Sequence, residues 1–460
     1  MEENWSTFRE LLLPAKTGPR RLERALREAI RSGHLPAGVR LPSTRDLAAQ
    51  LGLARGTVTA AYDQLIAEGY LAARRGSGTR VAHASVSASA AVAIPERPDR
   101  WDHDLRSGMP ALGAFPRAAW ISACRSGLDL LSDHDLGYPQ AQGLAVLRQE
   151  LAGYLARVRA MAVRPDDLVI THGSAEALVL LVRSLRDAGH TEIAVEDPSY
   201  PGQLELIVEH GLRPVPVRVD DEGLRVTDLE RTNCRAVVVT SAHQYPLGVV
   251  LSPRRRRALV QWAEAADGLI IEDDYDAEHR YDRPAFGALQ ALSPERVAYL
   301  GTASKTLAPA LRLGWLVLAG PRLEQVVESK RLYDRGGGVL EQAGFAELLR
   351  SGGYDRHLRK TRRLYRQRRD ALLAELGARF PDWQPVGIAA GLHVVLRLPD
   401  GVNDREVAKR LADKGIRLAP LSAYAMTAAP YPGLVIGYGN VGADRLRAAA
   451  AAIAGALFKT

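Results

Sequence analysis

Residues 297–315, VAYLGTASKTLAPALRLGW, decide the fold. A short apolar run, Val297 to Leu300, passes straight into a polar cluster, Gly301-Thr302-Ala303-Ser304-Lys305. The same grammar recurs four times upstream. Leu168-Val169-Ile170 leads into Thr171-His172-Gly173-Ser174, and Ile193-Ala194-Val195 into Glu196-Asp197-Pro198-Ser199-Tyr200. Ala236 to Val239 leads to Ser241-Ala242-His243-Gln244-Tyr245-Pro246, and Leu269-Ile270-Ile271 to Glu272-Asp273-Asp274-Tyr275. Apolar runs of this size, separated by helix-length segments, predict an α/β body with a mostly parallel sheet covered on both faces. Ligands bind outside the carboxyl ends of such strands. Five loops far apart in sequence are therefore expected on one rim.

The residue types on that rim suit one ligand. Gly173, Ser174 and Ala175 open a predicted helix, SAEALVLLVRSL, whose first N–H groups can hold a phosphate. Thr302, Ser304 and Arg312 are placed to complete the cup. Asp273, at the end of a buried strand, suits the ring nitrogen of a pyridinium, and Tyr200, after a turn, suits stacking on a flat ring. Tyr275 is a donor for a phenolate oxygen. Lys305, partly desolvated and near another cation, fits a Schiff-base amine. A phosphate cup, a ring stack, an acid for a ring nitrogen and a reactive lysine together specify pyridoxal 5'-phosphate. Singly, each has a plainer explanation: a surface Ser-Lys pair, a solvated Asp-Asp cap, a Gly-Ser turn. His172, His243 and His279 lack metal-ligand spacing, so structural roles and no metal are expected.

Outward from the rim, 460 residues exceed one ordinary domain. With 47% hydrophobic and 25% charged residues, the chain is not largely disordered. No apolar run approaches a bilayer span, so an integral membrane protein is not expected. The opening MEENWSTFRE has no basic cluster before an apolar core, so no secretory leader is expected. Cys124 and Cys234 are far apart and form no CxxC pair, which fits a reducing cytoplasm. Formal net charge is +8, from 61 Lys and Arg against 53 Asp and Glu. Residues 1–82 hold 13 basic and 8 acidic side chains, hence +5, leaving +3 for the other 378 residues. A small basic unit on a nearly balanced body predicts a polyanion-binding module.

That unit reads as a winged helix-turn-helix. Leu22, Ala25, Leu26, Ala29 and Ile30 recur at helical spacing before Gly33. A second helix starts at the N-cap Ser43, with Asp46 three residues on, and stops at Gly52. A third carries Val58, Ala61, Tyr62, Leu65 and Ile66 and ends at Gly69. Two strands, Tyr70 to Ala73 and Thr79 to Ala82, flank the basic wing Arg74-Arg75-Gly76-Ser77-Gly78. Arg55, Thr57 and Thr59 open the third helix, where a recognition helix meets base edges, and Arg45 is suited to a phosphate. The alternative is a small helical domain with merely solvated arginines; the order, the cap and the basic wing weigh against it. The expected domains are 1–82 for this head, 83–103 (Ala, Ser and Pro rich at its start) for a linker, and 104–460 for the body.

Residues 36–82, with LPSTRDLA, RGTV and AEGYL, resemble the winged helix-turn-helix of the GntR family of bacterial regulators. EDPSYPG (196–202), HQYPLG (243–248), EDDYDAEHRY (272–281), GTASKTLAPALRLGW (301–315) and HLRKTRRLYRQRRDAL (357–372) resemble the aminotransferase-like body of its MocR subfamily. The resemblance covers about residues 18–455 apart from the linker. It implies DNA contact by Arg45, Arg55, Thr57, Thr59 and the wing around Gly76. It also implies a fold-type I, aspartate-aminotransferase-like body with a smaller α+β C-terminal part. Within it Lys305 is the aldimine lysine, Asp273 the ring-nitrogen partner, Tyr275 the phenolate partner, Tyr200 the stacking residue and Arg312 a phosphate ligand. A homodimer binding double-stranded promoter DNA is implied as well.

Two departures bear on activity. Aminotransferases of this fold hold the substrate carboxylate with an arginine near Leu434-Val435-Ile436-Gly437-Tyr438, a run that here contains none. Arg417 is a possible substitute that the sequence does not place. An Asn-Pro-Thr-Gly loop of many such enzymes is replaced by His243-Gln244-Tyr245-Pro246-Leu247-Gly248, as in MocR proteins. An intact cofactor site without the amino-acid clamp favours a sensor, with pyridoxal phosphate as effector or as the reagent that captures an amine or amino-acid effector. The missing arginine leans towards the PdxR type, which controls vitamin B6 synthesis genes. The competing expectations are an aminotransferase carrying a DNA-binding head and a phosphate-binding scaffold without Schiff-base chemistry.

Overall fold

The computed structural model describes residues 19–74, 78–82, 101–282 and 286–458. The chain forms two compact units, Met1–Arg100 and Trp101–Thr460.

In the first unit, helices α1 (Pro19–Arg31), α2 (Thr44–Leu51) and α3 (Arg55–Ala67) precede strands β1 (Leu71–Arg74) and β2 (Gly78–Val81). The apolar stripes read from sequence close on one another: Leu22, Leu26, Leu47, Val58, Leu65, Leu71 and Val81 form one buried cluster. Ser43 caps α2, its hydroxyl accepting from the Asp46 N–H at 3.2 Å, and Gly52 ends the helix in the left-handed region at φ 65°. The buried Tyr62 hydroxyl donates to the Pro42 carbonyl at 3.0 Å and fixes α3 against the start of α2. The strands pair antiparallel with Arg74 opposite Gly78, so Arg74 lies in the ladder rather than in the tip. Arg75 and Gly76, expected at the wing tip, lie outside the described residues, as do 83–100 of the expected linker.

In the second unit β3 (His103–Asp104) pairs parallel with Ile416–Arg417, so His103, the last residue of the expected linker, is tied into the body. Next come β4 (Leu168–Thr171), β5 (Glu192–Asp197), β6 (Arg213–Asp220), β7 (Gly223–Leu224), β8 (Ala236–Val239), β9 (Leu269–Asp274), β10 (Val297–Thr302) and β11 (Gly314–Val317). Their order across the sheet is β4-β11-β10-β9-β8-β5-β6-β7. From β10 to β6 the neighbours run parallel, while β11 is antiparallel to both β10 and β4.

Alternation along the strands fills both faces. Val238 and Ile271 pack on one side with Leu178 and Leu181, and Val237 and Ile270 on the other with Trp262. Helices α4 (Ser174–Asp187), α5 (Pro201–Glu209), α6 (Pro253–Ala265), α7 (Arg322–Tyr333) and the 27-residue α8 (Gly353–Arg379) belong to this unit. A four-stranded antiparallel sheet built from Gln384–Val386, His393–Arg397, Gly433–Gly437 and Ala419–Pro420 makes the smaller C-terminal part. Among the described residues no helix is long and apolar enough to cross a membrane.

Candidate functional site

Lys305 follows β10. Its ammonium donates to the Gly108 carbonyl at 2.9 Å. Burial lowers its proton affinity, with Asp273 and Asp276 opposing the shift. Gly301, at the end of β10, lies against the Trp315 indole so closely that a Cβ there would sit 2.1 Å from Nε1. Gly314, at the start of β11, lies against Gly173, whose Cα would be 2.7 Å from a Cβ there. These two contacts explain the spacing of GTASKTLAPALRLGW: the lysine loop leaves one strand and returns as its neighbour.

That return sets Arg312 beside the start of α4. Arg312 adopts φ 49° and its guanidinium donates to the His172 carbonyl. A Cβ on Gly173, itself at φ 91°, would lie 3.4 Å from Arg312 Nη1. Ser174 and Ala175 are the first two, half-buried residues of α4. The Thr302 hydroxyl donates to Ser304 Oγ at 2.9 Å, and the Ser304 N–H donates to Thr302 Oγ1 at 3.1 Å. Helix N–H groups, two hydroxyls and a guanidinium make a cup suited to a phosphate.

The two aspartates closing β9 have opposite tasks. Asp274 is paired with the buried Arg159 at 2.6 Å and accepts from the Tyr299 hydroxyl at 2.7 Å. Asp273 points the other way. Its Oδ2 accepts from Gln203 Nε2 at 2.5 Å, while its Oδ1 is buried and meets no donor. Burial, helped by the charge of Asp274, pushes its carboxyl up to about 7. A buried acceptor without a donor is rare in folded proteins, and a protonated ring nitrogen would satisfy it.

The Tyr275 hydroxyl donates to the His243 carbonyl at 3.0 Å, and His243 Nδ1 lies 2.9 Å from Asp276. Tyr200, the expected stacking residue, is 53% exposed and meets Tyr245 edge-on at a centroid distance of 5.9 Å. Sequence reasoning assigned no role to Tyr245, the hub of this wall. Its ring meets Tyr275, His393 and Tyr424, and its hydroxyl lies 2.6 Å from Ser107 Oγ. Gly108, Gln203 and Asp276 were missed too: Gly108 comes from a separate segment, while Asp276, two residues past β9, and Gln203, in the helix after β5, gave no local sign of a role.

Arg417 does not offer a carboxylate clamp: its guanidinium lies 5.5 Å from the centre of the Trp101 ring. Val435, in the strand without an arginine, is buried among Leu421, Val395 and Tyr424. His172, read as lacking metal spacing, does approach Glu176 and Asp334, at 3.2 Å each. The buried Lys330 ammonium already serves that cluster, 3.0 Å from Glu176 and 2.6 Å from Asp334. The hydrogen bond to Glu176 raises the His172 imidazole.

In the head, Arg45, Arg55, Thr59 and Arg74 are exposed and Thr57 is half-buried. The Thr59 hydroxyl donates to the Arg55 carbonyl at 3.0 Å. Two further cations flank the wing: Arg40 packs against Gly78, and Arg80 donates to the Gly38 carbonyl at 2.9 Å.

The pattern of the family "Aminotransferase class I and II" matches residues 106–453, and that of "Bacterial regulatory proteins, gntR family" matches residues 20–81. An aminotransferase class I and II body thus stands behind a gntR-type head. A kynurenine aminotransferase of Pyrococcus horikoshii, solved with PMP, superposes with a TM-score of 0.71 at 26% identity, covering 79% of this chain and 92% of that one. The pyridoxine biosynthesis transcriptional regulator PdxR of Corynebacterium glutamicum is 36% identical over 434 residues, 93% of each chain. The probable rhizopine catabolism regulatory protein MocR of Rhizobium meliloti is 32% identical, over 93% of this chain and 91% of its own. The chain belongs to the MocR subfamily of GntR regulators.

Proposed function

We propose that this protein is a DNA-binding transcriptional regulator whose body binds pyridoxal 5'-phosphate. The observation that carries the reading is Asp273 Oδ1, a buried acceptor without a donor, in a body behind a gntR-type head. Bound there, the cofactor supplies an aldehyde that condenses with a primary amine. Lys305 supplies the amine; burial favours its neutral form, and Gly108 accepts one of its hydrogens. Asp273 holds the proton on the ring nitrogen. Tyr275 turns its one hydroxyl hydrogen from the His243 carbonyl to the phenolate oxygen, and Tyr200 covers the ring. Gly173, Ser174, Ala175, Thr302, Ser304 and Arg312 hold the phosphate. On the head, Arg45 contacts phosphate and Arg55, Thr57 and Thr59 meet the major groove, with Arg74, Arg75 and Gly76 following the backbone at the wing.

The effector is pyridoxal phosphate or a small amine that it captures, and the regulated genes serve vitamin B6 or amino-acid and amine metabolism. The similarity to a pyridoxine biosynthesis regulator supports the first of each. The apolar Val435 and the engagement of Arg417 with Trp101 weigh against efficient transamination. Exposed Leu130, Tyr138 and Val146 line one apolar cavity with Val339 and Ala343, a face suited to a second copy in a homodimer. Effector binding then favours one arrangement of paired heads over another. The test is gel retardation of the DNA upstream of its own gene, with and without pyridoxal phosphate, beside a turnover assay with common amino donors and a keto acid. A cofactor-dependent change in retardation is expected. Rapid multiple turnover without any retardation would refute the regulator.

A further inference from the structure

Residues 356–369 hold eight Lys or Arg and no Asp or Glu. Because residues 83–460 sum to only +3, the body without this segment is net acidic. The segment lies in α8, whose opposite face is buried through Tyr354, His357, Leu358, Thr361 and Tyr365. Some of its cations have structural work: Arg362 donates to the Glu278 carbonyl at 2.8 Å, and Arg368 to that of Gly439. Five of the segment's cations, Arg356, Arg359, Lys360, Arg363 and Arg366, are exposed and, at 100° per residue, fall within one arc of about 120°; of these, Arg356 donates to the Ser351 carbonyl at 3.0 Å and Arg366 lies 3.9 Å from Asp370. Among the described residues, Arg359, Lys360 and Arg363 have no ion pair or hydrogen-bond acceptor. Arg356/Lys360 and Arg359/Arg363 are like charges at i,i+4, which weakens a helix. A one-sign stripe about 15 Å long, kept at that cost, attracts a polyanion.

We propose that this face of α8 is a second contact surface for duplex DNA, holding the phosphate backbone without reading sequence. It rests on the DNA-binding reading of the head, which brings a duplex to the same chain. Two or three phosphates neutralised by Arg359, Lys360 and Arg363 add to affinity and to its salt dependence, and leave base preference unchanged.

The experiment measures binding of the full-length protein to a fragment from upstream of its own gene between 50 and 200 mM salt. The variant carries Arg359→Gln, Lys360→Gln and Arg363→Gln; a control of equal net charge carries Lys409→Gln, Arg410→Gln and Lys414→Gln, exposed cations of another segment. Each lost phosphate contact lowers the slope of log K against log salt by about 0.9, so a reduction of about 2 to 3 is expected for the α8 variant alone. A reduction below about 0.9, or an equal one in the control, overturns the proposal. Removing like-charge repulsion should leave the helix intact, which unchanged cofactor absorbance checks. An Arg55→Ala arm separates the two ideas: if it retains wild-type affinity the head reading fails, whereas an unchanged α8 slope with Arg55→Ala impaired sinks only the stripe.

Discussion

Asp273→Asn keeps the shape of the side chain and an oxygen for the Gln203 amide while removing one buried negative charge. Burial beside Asp274 lifts the carboxyl from 3.8 to about 7, so folding costs the ionised form about 4 kcal/mol at 1.36 kcal/mol per pKa unit. The folded carboxyl holds its proton more tightly than the unfolded one. The wild type therefore loses stability as pH rises from about 4 to about 7, and the loss is complete above that. Without cofactor, the variant is expected to be more stable by up to about 4 kcal/mol at pH 8, by between about 1 and 2 kcal/mol at pH 5, and by little near pH 4. Urea unfolding followed by tryptophan fluorescence measures this, since five of the six tryptophans lie in the body. The same change removes a charge-assisted hydrogen bond to the cofactor, about 1.5–3 kcal/mol or a 10- to 150-fold rise in Kd. If Asp273→Asn destabilised the cofactor-free protein at pH 8, or gave a gain independent of pH, that would refute Asp273 as a carboxylate held at a cost for a ring nitrogen.

Other outcomes follow from the same geometry. Lys330→Met strands the buried Glu176 and the half-buried Asp334 and should cost about 3–5 kcal/mol at pH 7 in thermal unfolding. Burial opposes ionisation of Glu176, but its contacts with His172 and Lys330 hold it down to about 2, so the penalty should shrink in acid as pH falls towards that value. Tyr275→Phe removes the donor that rests on His243 and should raise the cofactor Kd about fivefold, from a bond worth about 1 kcal/mol. Arg55→Ala should weaken operator retention by about 1–3 kcal/mol in gel retardation while leaving cofactor absorbance unchanged.

Much of this was legible because strand-end chemistry is local. The five apolar runs became β4, β5, β8, β9 and β10, and each polar cluster closes or follows its strand. The head was readable for a similar reason: caps and glycines at Ser43, Gly52 and Gly69 punctuate amphipathic stripes. β6 was not foreseen because Pro214 and Pro216 break the strand pattern, and near the sheet's edge such prolines are tolerated. β11 hid behind the lysine loop, and the Gly301–Trp315 and Gly314–Gly173 contacts explain its return beside β10. Which aspartate of the pair is taken by an ion pair depends on Arg159, more than a hundred residues away. Tyr245, too, becomes a hub only once the C-terminal part brings His393 and Tyr424 to it.

Borohydride reduction of the full-length protein saturated with pyridoxal phosphate, followed by peptide mass analysis, tests the reactive amine most directly. The peptide containing Lys305 should carry the reduced cofactor, and Lys305→Ala should carry none anywhere in the body. An unmodified Lys305 peptide, or label on another lysine in the wild type, would contradict the assignment.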